Sequence, residues 1–105
     1  MEKMTKVDFK QLSEAAALWS GSGMFSMPSR DWTRVIKRFG EMNAKPLIET
    51  LKSLEDDFYA TDAHRYAKDV NEMGEMAAND FRSQHPGVPD DIVNVFTWCY
   101  TYDFR

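Results

Sequence analysis

A chain of 105 residues is long enough for one ordinary domain and too short for two. Hydrophobic residues at 43% and aromatics at 13% supply a core and exclude disorder of the whole chain. Residues 1–53 carry nine Lys/Arg against six Asp/Glu, a balance of +3, and residues 54–105 carry four against eleven, a balance of −7, so the net −4 hides an acidic half that repels phosphate backbones and attracts basic surfaces.

The first ten residues, MEKMTKVDFK, have no continuous apolar run and do not read as a signal peptide. Asp8 then caps a first helix, with Gln11 in the capping-box position and Phe9, Leu12, Ala16 and Trp19 along one face. The run Ser20-Gly21-Ser22-Gly23 ends it, and Met24 to Met27 is short, apolar and open to an extended reading. Pro28 biases Met27 away from helical geometry. Ser29 is placed to cap a second helix, whose face is Trp32, Val35, Ile36 and Phe39, and Gly40 stands where a left-handed C-terminal cap is wanted.

A third helix is expected to begin near Pro46, which the first turn tolerates, with Leu47, Ile48, Leu51, Leu54 and Phe58 buried. Thr61 or Asp62 caps the longest predicted helix, about residues 62–84, with Ala63, Tyr66, Ala67, Val70, Met73, Ala77 and Phe81 on its face. Gly74 costs about 1 kcal/mol there relative to Ala, and close approach of a neighbouring helix is the reason to bear it. His85-Pro86-Gly87 stops the helix, and Pro89-Asp90-Asp91 starts the last one with an acidic first turn that suits the macrodipole. Ile92, Val95, Phe96 and Cys99 continue its face; Tyr100 to Phe104 either finishes the helix or forms a short extended tail. The fold class is all-α, a single-domain bundle or orthogonal array of about five helices over residues 1–105.

Catalytic signals are poor. His64 and His85 sit at opposite ends of the predicted long helix, roughly 30 Å apart at the helical rise, and cannot share a site. His85 before Pro86 reads as a solvated surface residue, and His64 as a local hydrogen-bonder. Cys99 on an apolar face reads as a buried structural thiol, with no second cysteine for a disulfide or a CxxC metal site. No P-loop, GxSxG or dinucleotide fingerprint occurs, so no enzyme activity, cofactor or metal is expected. No stretch approaches the roughly 20 apolar residues that span a bilayer, and a cytoplasmic, soluble protein is expected.

Arg30, Arg34, Lys37 and Arg38 form a basic stripe that a helix-turn-helix reader could use. The acidic balance of the whole disfavours that role, and a solvated face or pairing with the chain's own acidic half accounts for the stripe better. The acidic run Glu55-Asp56-Asp57, with Tyr59 and Asp62 after it, is the candidate partner-binding surface. Carboxylates near a helix C-terminus oppose the macrodipole, so local stability does not explain them, and aromatics beside charges are typical of interface anchors. A charged helix end kept for solubility accounts for the same residues, and both readings stand.

The stretch from Pro89 to Arg105, PDDIVNVFTWCYTYDFR, resembles the ending of small bacterial immunity proteins that accompany polymorphic and contact-dependent-inhibition toxins. The likeness covers about a sixth of the chain. It implies a protein inhibitor whose partner is a cognate toxin domain, with Glu55, Asp56, Asp57 and Asp62 standing in for substrate phosphates and Tyr59 as an anchor. A helical adaptor or assembly subunit, its aromatic tail completing a neighbour's core, is the alternative, and a small DNA-binding regulator comes after it.

Overall fold

Asp8 opens the first helix as its carboxylate accepts the Lys10 backbone N–H at 2.8 Å. The computed structural model describes residues 8–104; the first seven residues of the N-terminal stretch, and Arg105 of the C-terminal one, lie outside them. The elements are α1 (Phe9–Ser20), α2 (Trp32–Phe39), α3 (Glu41–Tyr59), the single turn α4 (Ala63–Tyr66), α5 (Val70–Gln84) and α6 (Asp90–Phe104), with no strand among the described residues. The all-α class with about five helices is therefore the observed one. None of these helices is long and apolar enough to cross a membrane.

Two boundaries differ from the expected ones because backbone bonds override the local signals. Asp31, not Ser29, caps α2: its Oδ1 accepts the Thr33 N–H at 3.0 Å. Ser29 is instead strapped to α1, its N–H donating to Ser20 and that of Asp31 to Trp19, both at 2.8 Å, which delays the helix by two residues. Gly40 has the positive φ, 83°, that a left-handed cap requires, but its ψ of 154° carries the chain out of the left-handed helical region. Its N–H closes α2 on Ile36 and its carbonyl opens α3 by accepting from Ala44. One residue thus ends one helix and starts the next, and α3 begins at Glu41, five residues before Pro46.

The predicted helix over 62–84 is broken at residues 67–69 into α4 and α5. Asp69 recaps the chain by accepting the Glu72 N–H at 2.8 Å, while the Glu72 carboxylate accepts the Lys68 N–H at 2.6 Å. This reciprocal acid pair stabilises a start, and it turns Tyr66 and Val70 outward, 71% and 41% exposed, where the apolar repeat had placed them inward. At the head of α4 the Thr61 hydroxyl, not the Asp62 carboxylate, accepts the Ala63 N–H.

The tail is helical to Phe104 and does not become extended. Thr97 and Thr101 bond back to carbonyls one turn earlier, and Cys99 and Tyr100 are wholly buried. One cluster of buried residues draws on every helix, and Phe58 of α3 lies at its centre, with ring centroids 5.2 Å from Phe81, 5.7 Å from Phe96 and 5.7 Å from Tyr100. Gly74 lets α5 approach α6 closely: a Cβ there would lie 3.1 Å from the Thr101 methyl and 3.2 Å from that of Thr97.

Candidate partner-binding face

Four residues apart on α3, Glu55 and Tyr59 share one side of the helix and look towards the end of α6. There the Tyr59 hydroxyl donates to Asp103 Oδ2 at 2.7 Å, and Arg30, from the loop before α2, donates to the same oxygen at 2.7 Å. Tyr102, next to Asp103, donates to Met27 Sδ at 3.2 Å, so the same loop is held twice by the last turn of α6.

The electrostatics follow from partial burial around one cation. Burial raises the Tyr59 phenol well above its ordinary range, and donation to Asp103 raises it further. Burial opposes the charge on Arg30, but the hydrogen bond to Asp103 and the surrounding negative groups hold the guanidinium more firmly charged than usual. Glu55 is pushed up by burial, with Arg30 as the opposing influence. Burial pushes the Cys99 thiol up to about 11, consistent with the structural, unreactive role read from its place on the apolar face.

The acidic run does not form one surface. Asp57 points away from Glu55, and its carboxylate lies 2.8 Å from His85 Nε2 at the end of α5. His85 is therefore a half-buried tie between α3 and α5, not a solvated turn residue. Asp56 and Asp62 are exposed, and their side chains make no hydrogen bond or ion pair among the described residues. Tyr59 is engaged by Asp103 and fixes the face rather than standing free as an anchor; Tyr66, seven residues on, is exposed, as is Phe104, whose ring lies 6.2 Å from that of Tyr59. Phe104 stacks on His64 at 4.3 Å, and the Tyr100 hydroxyl accepts the His64 backbone N–H at 3.0 Å and lies 2.9 Å from its Nδ1. His64 is the local hydrogen-bonder its position suggested.

Three of the four residues of the basic stripe are used internally, and Lys37 is exposed. Arg30 pairs with Asp103 from the acidic half, whereas Arg38 pairs with Glu14 of α1 at 2.6 Å. Arg34 donates to the backbone carbonyls of Leu18, Trp19 and Ser29, and its guanidinium lies over the Phe25 ring. Sequence reasoning missed Arg30 and Asp103 as members of this face, because no local pattern links residues 73 apart. It also missed the exposure of Met24, Phe25 and Met27, although three bulky apolar residues between a Gly-rich turn and a proline were a signal for it.

No protein family, curated protein or solved structure matches the chain.

Proposed function

We propose that this chain is a protein-binding inhibitor of the immunity type, which works in the cytoplasm without catalysis or cofactor and neutralises a cognate bacterial toxin domain by covering its active site. One observation carries the reading: Arg30, Arg34 and Arg38 are bonded within the fold, while Asp56, next to half-buried Glu55, and Asp62 are exposed with no hydrogen bond or ion pair among the described residues. Carboxylates left outward without an internal partner attract a basic partner and speed its association. The C-terminal likeness to immunity proteins supports the same reading, since Asp103 and Phe104 of that segment adjoin Tyr59 of the acidic run. Co-expression with the product of the neighbouring gene, followed by a pull-down and a growth-rescue assay, tests it. Growth rescue together with one-to-one co-purification is the expected outcome, and failure of both contradicts it.

An assembly subunit is the second reading, favoured by the Met24–Met27 loop, whose Met24, Phe25 and Met27 are 54%, 49% and 53% exposed although Arg34 pins the backbone at both ends. Clustered exposed apolar side chains mark a contact surface. Tyr100, by contrast, is wholly buried in this chain's own core, so that aromatic is not held in reserve for a neighbour.

A further inference from the structure

Between α1 and α2 the chain leaves the body and returns to it, and the Ser29 N–H closes the loop on the Ser20 carbonyl at 2.8 Å. Inside it, the N–H groups of Met24 and Phe25 both donate to the Gly21 carbonyl, at 2.9 and 3.0 Å. The Phe25 ring lies so close to Gly21 that a Cβ there would come within 2.5 Å of it. Arg34 holds the two ends through the carbonyls of Trp19 and Ser29, and Met27 Sδ accepts from Tyr102. These bonds keep Met24, Phe25 and Met27 about half exposed, where a slack loop would fold them onto the core.

Beside the loop, a groove of about 440 Å³ runs between α1 and α6, with Ala17, Val95 and Trp98 as its apolar wall and Ser22 at its loop end. Trp98 shares a face of α6 with Tyr102, one turn on, so groove and loop form one continuous surface. Among the described residues Trp98 makes no ring contact, whereas Trp19 and Trp32 stack on each other at 4.9 Å. A half-exposed tryptophan in a groove has the character of an interface anchor.

This surface is electrically quiet. Residues 20–29 contain no charged side chain. At its borders Arg30 pairs with Asp103, Asp31 with Arg34, and Glu14 with Arg38. Further out, exposed Lys10 and Lys37 stand against exposed Asp8 and Asp91, two of each sign.

We propose that this surface is a twofold contact with a second copy of the chain, the Met24–Met27 loop of each copy seated in the α1–α6 groove of the other. The proposal rests on the reading of the loop as a contact surface and names its partner. Two copies that each carry −4 repel one another and meet at least cost through a neutral face. A basic toxin surface would gain nothing there. Because a projecting loop adjoins a groove on the same molecule, one rotation fills both grooves and closes the assembly at two copies. Half of four side chains of roughly 200 Å² each gives about 400 Å² of apolar contact per copy. A standard interface takes about 800 Å² per partner, and the groove walls supply the rest. The proposed toxin contact lies on the acidic face and stays open in the dimer.

The test is sedimentation velocity on the full chain from about 1 to about 300 μM, the range in which an interface of this modest size assembles. The mass should rise from monomer to dimer across that range, and more salt should tighten the dimer by screening the repulsion. M24E/M27E and N94R each change exposed positions, so melting should show both variants folded. Each alone should weaken the dimer at least tenfold, and an equimolar mixture should restore it, because one loop and one groove stay intact in the mixed pair. Monomer mass throughout would overturn the proposal, as would variants that dimerise like the wild type or a mixture that recovers nothing. If the chain is monomeric and M24E/M27E loses the neighbouring gene's product in a pull-down, only the second copy is overturned, and the loop contacts that protein instead. If the monomeric variant keeps that product, the reading of the loop as a contact surface falls as well.

Discussion

Arg30 and Asp103 meet at 2.7 Å although they lie 73 residues apart in the chain, and Tyr59 bonds the same carboxylate oxygen. This three-way contact joins the loop before α2, the end of α3 and the last turn of α6. Both charged side chains are about a third exposed, so solvent screens the pair and weakens it. Asp103→Ala is expected to cost about 1 kcal/mol in urea unfolding. With Tyr59→Phe it should show a coupling of about 0.5 kcal/mol in a double-mutant cycle. Strict additivity would mean that the contact is not formed in solution.

Cys99 and Tyr59 make alkaline stability predictable. Both groups have folded-state pKa values raised above their ordinary ones, Cys99 to about 11 from 9.0. A raised value contributes stability that is fully present below the unfolded value and lost as pH rises through the folded one. The native state should therefore weaken from about pH 9 upward, by about 2 kcal/mol near pH 11 on account of the thiol. Cys99→Ala is expected to flatten that decline in urea titrations, whereas an equally steep decline in the variant would assign it to other groups.

Glu55 obeys the same linkage, with the same sign, in the acid range. Burial raises its pKa, so the protonated form is favoured below the ordinary carboxylate range and that contribution is lost as pH rises. At pH 7 the carboxylate is held charged at a cost. Glu55→Gln should stabilise the protein at pH 7 by no more than about 0.5 kcal/mol after screening, with the gain vanishing near pH 3. If Glu55 serves binding, the same variant should bind the toxin domain more weakly, a trade of stability for function.

The contact at Gly74 gives a test of the α5–α6 packing. Gly74→Ala gains helix propensity of about 1 kcal/mol but brings a methyl against Thr97 and Thr101 at sub-contact distance. Overpacking of this kind costs about 1–3 kcal/mol, so a net loss of about 1 kcal/mol is expected. Thr101→Ser removes the nearer methyl and keeps the hydroxyl bonded to Thr97, and should recover part of that loss. Thermal melts of the single and double variants decide the sign.

Local signals carried most of the fold. Asp8, Gly21 and the helical spacing of Leu12, Ala16 and Trp19 placed α1, and Pro89-Asp90-Asp91 placed the start of α6. The break before α5 was also legible, because Asp69 and Glu72 form a capping pair; the apolar repeat running from Ala63 to Phe81 masked it. Gly40 was legible as a stop but not as a start, since its second role depends on a bond from Ala44. Of the acidic run, the spacing of Glu55 and Tyr59 sets them on one side of α3, and the same period sends Asp57 elsewhere. Its partner His85, like Arg30 and Asp103, is set by tertiary packing that no spacing encodes.

The most direct test of the inhibitor reading is the association rate of the toxin domain with the double variant Asp56→Asn/Asp62→Asn, followed across ionic strength by stopped-flow fluorescence. Two exposed carboxylates with no internal partner have little to contribute to folding, so stability should stay within about 0.5 kcal/mol of the wild type. Association at low salt should slow by about tenfold and its salt dependence should flatten, with dissociation little changed. A rate and salt slope equal to those of the wild type would contradict the account.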